Sequence, residues 1–515
     1  MVTFEWIIGL LLCAVALSAL ARRINVPYPT MLAVGGALLP FIPSGPSWTL
    51  EPDLALALFV APVLLDAAFD TSLRDLRNNW LPVSALVFMA VGVTTAAVAV
   101  LAHTLRPDMP WSAAIALGAI VAPPDAAAAT AILRQVNLPH RILKILEGES
   151  LLNDASALLI YRVAVGAAAV EHFRWSAFAP SILLALAGSL VAGYVLARAF
   201  TQVTRRITDA PSAIITQFAG TFIVWILAEK VGLSGILTVV AYAVTIARTA
   251  PARTPARIRV PSYAVWETAV FVLNVLAFML IGMQMRPIWE RLDAFVRFEY
   301  CTFAALVVGA VIFARIGWVM LYGVTFRSLI AAGQVRPPRN FPVPTVQGGI
   351  VVSWCGMRGI VTLAAAFALP ESFPSRDIIL FAAFAVVLGT LLVQGLTLRP
   401  LILSLGLKDE EDPVAAEAAR ARAIAYRAAL EEIDGDPSEE AELLRLEYRG
   451  LLLRAENDPS GGIALAGLPA DPLRRRAIAA ARQAILRLRD AEDIGDDAFH
   501  LLEEELDRAE MSAQG

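Results

Sequence analysis

The sequence predicts an all-α polytopic membrane protein. About thirteen transmembrane helices, including two interrupted crossing helices in inverted repeats, precede a helical cytoplasmic tail. Three observations predict it. Of 515 residues, 58% are hydrophobic and 17% charged, against about 45–50% and about 25% in soluble domains. Apolar runs of about 20 residues recur along the first 407 positions. Two of these runs break their own pattern midway, in "AIVAPPDAAAAT" around Pro123 and Pro124 and in "VSWCGMRGIV" around Gly356 and Gly359.

The segments long enough to span are 4–20, 28–43, 53–70, 81–103, 111–133, 141–170, 177–203, 211–229, 233–250, 262–285, 299–326, 347–369 and 377–405. The first has no basic stretch before it and no cleavage site after it, so it reads as a retained span. Basic residues concentrate in the odd-numbered connections: Arg22 and Arg23, Arg74 and Arg77, Arg141 and Lys144, Arg205 and Arg206, Arg248 to Arg259, and Arg327 to Arg339. Those connections are therefore expected inside, which puts the N-terminus outside and the C-terminus in the cytoplasm of a cell inner (plasma) membrane. The tenth connection, around Arg286, Arg291 and Arg297, alternates charge with Trp289, Leu292 and Phe295 and reads as an interfacial helix.

Residues 1–407 form the expected membrane domain and residues 408–515 an acidic helical domain. The net charge of −4 divides into roughly −12 on the tail and roughly +8 on the rest. That balance argues against nucleic acid as a partner. Cys13, Cys301 and Cys355 all sit in apolar runs and read as packing residues, and the four histidines are scattered. No metal cluster, phosphate-binding loop or cofactor motif is present, so no cofactor is expected and the chain does not read as an enzyme.

Charge at mid-depth carries the functional signal. In "GESLLNDASALLIYR", Ser150 and Asp154 share one helix face, and Glu149 and Asn153 form the adjacent stripe. Asp154 lies about 15–20 Å along the helix from Arg141 and Lys144, near the midplane. A carboxylate there costs several kcal/mol or more, which marks it as a functional candidate. In the fifth segment the two prolines break the helix and free the carbonyls of Ala119 and Ile120. Asp125 follows, either as a cap on the second half-helix or as an ion ligand. Arg358 lies mid-span in the twelfth segment and needs a carboxylate or freed carbonyls. The two broken spans are seven apart and so antiparallel, the signature of inverted repeats with a site between broken helices. Asp66 near the inner end of the third segment is a cation-funnel candidate or a polar cap. Glu267 and Arg315 read as structural, and as candidate partners of each other.

"EGESLLNDASALLIYR" resembles the signature of the electroneutral branch of monovalent cation/proton antiporters, the bacterial NhaP and animal sodium/proton exchanger type. "FVAPVLLDAAFDTSLRDLRNNW", "WETAVFVLNVLAFMLIGMQM" and "SWCGMRGIVTLAAAFALP" resemble further segments of that family, so the likeness covers nearly all of residues 1–407. The resemblance implies thirteen spans, a core domain moving against a dimerisation domain, and a homodimer. It also implies that Asp154 carries the proton or the transported Na⁺, helped by Ser150, Asn153 and Asp125, and that Glu149 and Arg358 form a buried ion pair. The commoner family version of the fifth span reads Thr-Asp-Pro. Here Pro124 holds the threonine position, so one hydroxyl ligand is missing and the choice between Na⁺ and K⁺ stays open.

The expected function is secondary antiport of Na⁺, with K⁺ or Li⁺ as alternatives, against H⁺. Proton and cation compete for Asp154, one for one. The rival expectation is a monovalent cation channel, or a transporter-like sensor signalling through the tail.

Overall fold

The computed structural model describes residues 2–24, 26–39, 54, 56–125, 129, 133, 138–168, 175–249, 254–283, 289, 294–334, 344–407, 413–457, 476–481, 483, 484, 487 and 506. Every one of the thirteen apolar segments contains a helix, and no strand occurs among the described residues. Among the described residues, seven helices are long and apolar enough to cross a membrane, and three more apolar helices are shorter. In hydrocarbon a backbone with no water to bond must satisfy itself, and helices do so within one segment.

The membrane unit comprises α1 (Val2–Arg23), α2 (Tyr28–Leu38), α3 (Ala61–Asp70), the short α4 (Leu73–Asn78) and α5 (Trp80–Leu105). It continues through α6 (Trp111–Val121), α7 (His140–Ala168), α8 (Trp175–Thr204), α9 (Ala210–Lys230), α10 (Gly235–Thr249), α11 (Ala256–Met283) and α12 (Ala294–Ala331). It ends with α13 (Val346–Trp354), α14 (Ile360–Phe367) and α15 (Arg376–Leu405). These helices sort by packing into two groups. Helices α1, α2, α3 and α8–α11 pack among themselves, as do α5–α7 and α12–α15. A cavity of about 1210 Å³ lies between the groups.

Two helices carry π-helical turns, Leu56–Val60 leading into α3 and Ala85–Ala90 within α5. A π turn displaces backbone carbonyls from their normal partners. In α5 other helices take them up. Trp318 Nε1 of α12 donates to Ala85 O at 3.1 Å, and Ser156 Oγ of α7 donates to Val87 O at 2.7 Å. These bonds tie α5, α7 and α12 into one body.

The fifth and twelfth segments are both interrupted. Helix α6 stops at Val121 and leaves the chain non-helical through Asp125; beyond it only Ala129 and Leu133 of that segment are described. The alanine run and the cap reading of Asp125 therefore fall outside the described residues. Helix α13 stops at Trp354 and α14 starts at Ile360. The amide of Asp125 donates to Met357 O at 2.7 Å, so the two gaps meet.

Residues 409–515 form a second compact unit. Its α16 (Pro413–Ile433) and α17 (Glu439–Asn457) pack together, with the rings of Tyr426 and Tyr448 6.1 Å apart and Arg427 on Glu456 at 2.5 Å. Residues 476–481, 483, 484 and 487 of this unit are helical as well, and most of the tenth connection of the membrane unit lies outside the described residues.

Candidate functional site

The crossing leaves two helix C-termini inside the protein, each with unsatisfied carbonyls and a partial negative charge. An arginine covers each. Arg358 is fully buried; its Nε donates to Val121 O at 2.9 Å and its Nη2 to Ala122 O at 3.1 Å, at the end of α6. Its Nη1 donates to Gly356 O, and its own amide donates to Thr390 Oγ1 of α15 at 3.0 Å. At the end of α13, Arg315 of α12 donates from Nη2 to Val352 O at 3.0 Å.

The same arginine corrects one expectation. Glu149 is not paired with Arg358. Its carboxylate is gripped by Arg315, Nη1 to Oε1 at 2.5 Å and Nη2 to Oε2 at 2.8 Å, with both side chains 2% exposed. The physical reason lies in the carbonyls: Arg358 finds its counter-charge at the end of α6 and needs no carboxylate. The notion of a Glu267–Arg315 pair fails with it, since Glu267 lines the cavity instead. Depth along the helices carried a usable signal. Counted from the same membrane face, Glu267 lies about 8 Å in and Arg315 about 16 Å, whereas Glu149 lies about 12 Å in. At the end of α6 the arginine takes the carbonyls of Val121 and Ala122, which follow the Ala119 and Ile120 carbonyls left without i→i−4 donors by Pro123 and Pro124.

Gly356 and Gly359 make room for this arrangement. A Cβ at Gly356 would lie 2.5 Å from Arg315 Cδ and 3.1 Å from Arg358 Nη1. A Cβ at Gly359 would coincide with the Asp125 carboxylate, which rests against that glycine at the start of α14. The N-terminal end of a helix favours an anion there. Charges of opposite sign thus sit on the two broken helices, Arg358 against the end of α6 and Asp125 against the start of α14. Gly359→Ala is expected to push Asp125 away, lowering the unfolding free energy by about 1–3 kcal/mol through overpacking and weakening any cation that Asp125 helps to bind. Thermal unfolding with and without added cation checks this.

The cavity brings together Asp66, Asp125, Ser150 and Asp154, four of the residues selected from sequence. Asp154 is 8% exposed, and Ser150, one turn earlier on α7, lies beside it on the wall. Asn153 is fully buried and ties α7 to the unwound stretch, with Nδ2 donating to Pro124 O at 2.8 Å. Glu149, Asn153 and Arg358 lie outside the cavity lining. Sequence reasoning missed Arg315 as the partner of Glu149, and it missed the contact between Asp125 and Gly359. The opposite wall comes from α1, α2 and α8–α11, and the mouth carries Arg22, Thr71, Arg205 and Arg257, all at the face of the odd-numbered connections.

The family model described as the transmembrane sodium/hydrogen exchanger matches residues 7–404. A sodium, potassium, lithium and rubidium/proton antiporter of Bacillus pumilus is 31% identical over 410 residues, covering 75% of this chain and 60% of the relative. The chain thus spans about three fifths of the length of that relative. A protein of Mycobacterium tuberculosis, described as an uncharacterized Na⁺/H⁺ exchanger, is 30% identical over 539 residues and covers 98% of this chain and 95% of its own. Among solved structures, the sodium proton antiporter MjNhaP1 of Methanocaldococcus jannaschii superposes with a TM-score of 0.60 at 17% identity, covering 79% of this chain and 99% of its own.

Proposed function

The chain belongs to the sodium/hydrogen exchanger family, and from that premise we propose that it exchanges Na⁺, or K⁺ or Li⁺, for H⁺ by letting cation and proton compete for Asp154. One observation carries the reading: Asp154 stands on the wall of a large cavity, between two helix groups, with Asp125 and Ser150 on the same wall. A bare carboxylate crosses a low-dielectric barrier poorly, and a neutralised one crosses readily. Either ligand neutralises Asp154, so each passage in one direction carries a cation and each return carries a proton. Asn153 holds the unwound stretch in register with α7, and Asp66 draws cations in. With the odd-numbered connections inside by their basic charge, the cavity opens to the cytoplasm of the plasma membrane. The group α1, α2, α3 and α8–α11 is the static, homodimer-forming half, and α5–α7 with α12–α15 the moving one.

The exchange is one for one. Glu149 is cancelled by Arg315, Arg358 is held by the carbonyls of Val121 and Ala122, and Asp125 rests against Gly359 at the start of α14. Asp154 is then the one carboxylate that exchanges its ligand in each cycle, and one carboxylate holds one proton or one monovalent cation. Membrane potential then leaves the balance point unmoved, since its contribution of about 2.3 kcal/mol per net charge per 100 mV is multiplied by zero. Purified protein in liposomes, clamped with a permeant ion that it does not carry, tests this. The reversal point of Na⁺/H⁺ exchange should stay fixed as voltage varies; a shift with voltage means that a second group titrates. In the same vesicles a pH gradient should drive uptake of Na⁺, K⁺ or Li⁺. Flux at channel rates, or none, overturns antiport.

A further inference from the structure

We propose that α11 and α1 carry a relay site for the partly dehydrated monovalent cation, built from Asn274, Ser18 and Glu267 on the static wall of the cavity. The proposal rests on the antiport reading and adds a second stop on the way to Asp154.

Helix α11 presents a stripe to the cavity at helical spacing: Tyr263, Glu267, Phe271 and Asn274. Asn274 is 6% exposed, and its Oδ1 is buried with no hydrogen-bond partner. Ser18 of α1 is 1% exposed, and its Oγ is likewise buried without a partner. Both residues line the cavity that holds Asp154, and α1 packs against α11. Leaving a buried polar oxygen unpaired costs about 1–3 kcal/mol, so native proteins rarely do it without a reason. Two on neighbouring helices of one cavity wall fit a ligand that both serve. A half turn of the Asn274 amide exchanges its oxygen and nitrogen, so the oxygen can serve the cavity directly.

Glu267 supplies what two neutral oxygens cannot. It lies two turns from Asn274, about 10 Å nearer the mouth. It is exposed to the cavity and has no hydrogen bond or ion pair among the described residues. The arginines at the mouth, Arg22, Arg205 and Arg257, repel a cation, and a carboxylate just inside them offsets that field. Along α11 the cation meets repulsion, then Glu267, then neutral oxygens, and then the carboxylates across the cavity. Neutral oxygens hold an alkali cation weakly enough to release it, which a relay requires.

The test is exchange by the full chain in liposomes, with Na⁺ and K⁺ titrated at fixed pH, alongside cation-induced thermal stabilisation in detergent. Asn274→Leu, of similar volume, should raise the half-saturating cation concentration about fivefold with little change in maximal rate, as loss of one polar ligand does. Asn274→Asp should lower it and slow the maximal rate, because a carboxylate holds the cation longer. Glu267→Gln should raise it about threefold at low ionic strength, and the difference should fade as an inert salt is added. Unchanged half-saturation in both Asn274→Leu and Asn274→Asp, with only rate or stability altered, overturns the relay. Asn274→Asp keeps the test open if the leucine variant does not fold. Asp154→Asn is measured in parallel. If that variant still exchanges, competition at Asp154 fails as the basis of the antiport reading; if it is silent while the Asn274 variants keep wild-type half-saturation, the relay alone fails.

Discussion

Replacing Asp154 by Asn should reduce exchange to the level of empty liposomes while leaving a folded protein. Asparagine has the shape of the protonated carboxyl but takes up neither a proton nor the charge of a cation. The neutral side chain also removes the cost of holding an anion at mid-depth, so the unfolding temperature should hold or rise. The cavity wall loses its exchangeable charge while Ser150 and Asp125 remain. Flux of Na⁺ under an imposed pH gradient, with circular dichroism and thermal unfolding of the same preparation, measures both halves. Retained pH-dependent flux would remove Asp154 from the mechanism.

The second large effect concerns stability. Glu149→Gln leaves Arg315 without its carboxylate at 2% exposure, and Arg315→Met leaves Glu149 bare. Breaking a buried pair from one side costs about 3–5 kcal/mol, far more than the pair contributes relative to an apolar substitute. Each single variant should unfold well below the wild type, and Glu149→Leu with Arg315→Met should recover much of the loss. A double-mutant cycle between Glu149 and Arg315 should give a coupling of about 1–3 kcal/mol, and the cycle between Glu149 and Arg358 distinctly less. The reverse order would restore the pairing expected from sequence. Arg358→Met uncovers the carbonyls of Val121 and Ala122 instead, so its loss should be nearly additive with that of Glu149→Gln.

The helical segments were legible because their cause is local. A run of apolar residues, a pair of prolines or a glycine-flanked arginine states its effect within one or two turns. The same holds for the strip on α7, where spacing alone puts Ser150 and Asp154 on one face. The cavity was legible only in part. Asp66, Asp125, Ser150 and Asp154 stand out in the sequence by charge and polarity at depth, and they line one cavity. Asn274 and Ser18 gave no such sign, since a single Asn or Ser in an apolar helix most often bonds within its own neighbourhood.

The sequence by itself determined a membrane-spanning helical chain, the two breaks, and the carboxylate around which function is proposed. Tertiary structure alone decided who pairs with whom. Glu149, Arg315 and Arg358 lie at similar depths on three helices, and depth cannot choose between two arginines. The crossing of the broken spans chose: it put the last carbonyls of α6 against Arg358 and that of Val352 against Arg315, leaving Glu149 to Arg315. An arginine satisfied by backbone has no need of a carboxylate. Backbone carbonyls have no letter in the sequence, so their charge appears only where helices end and meet.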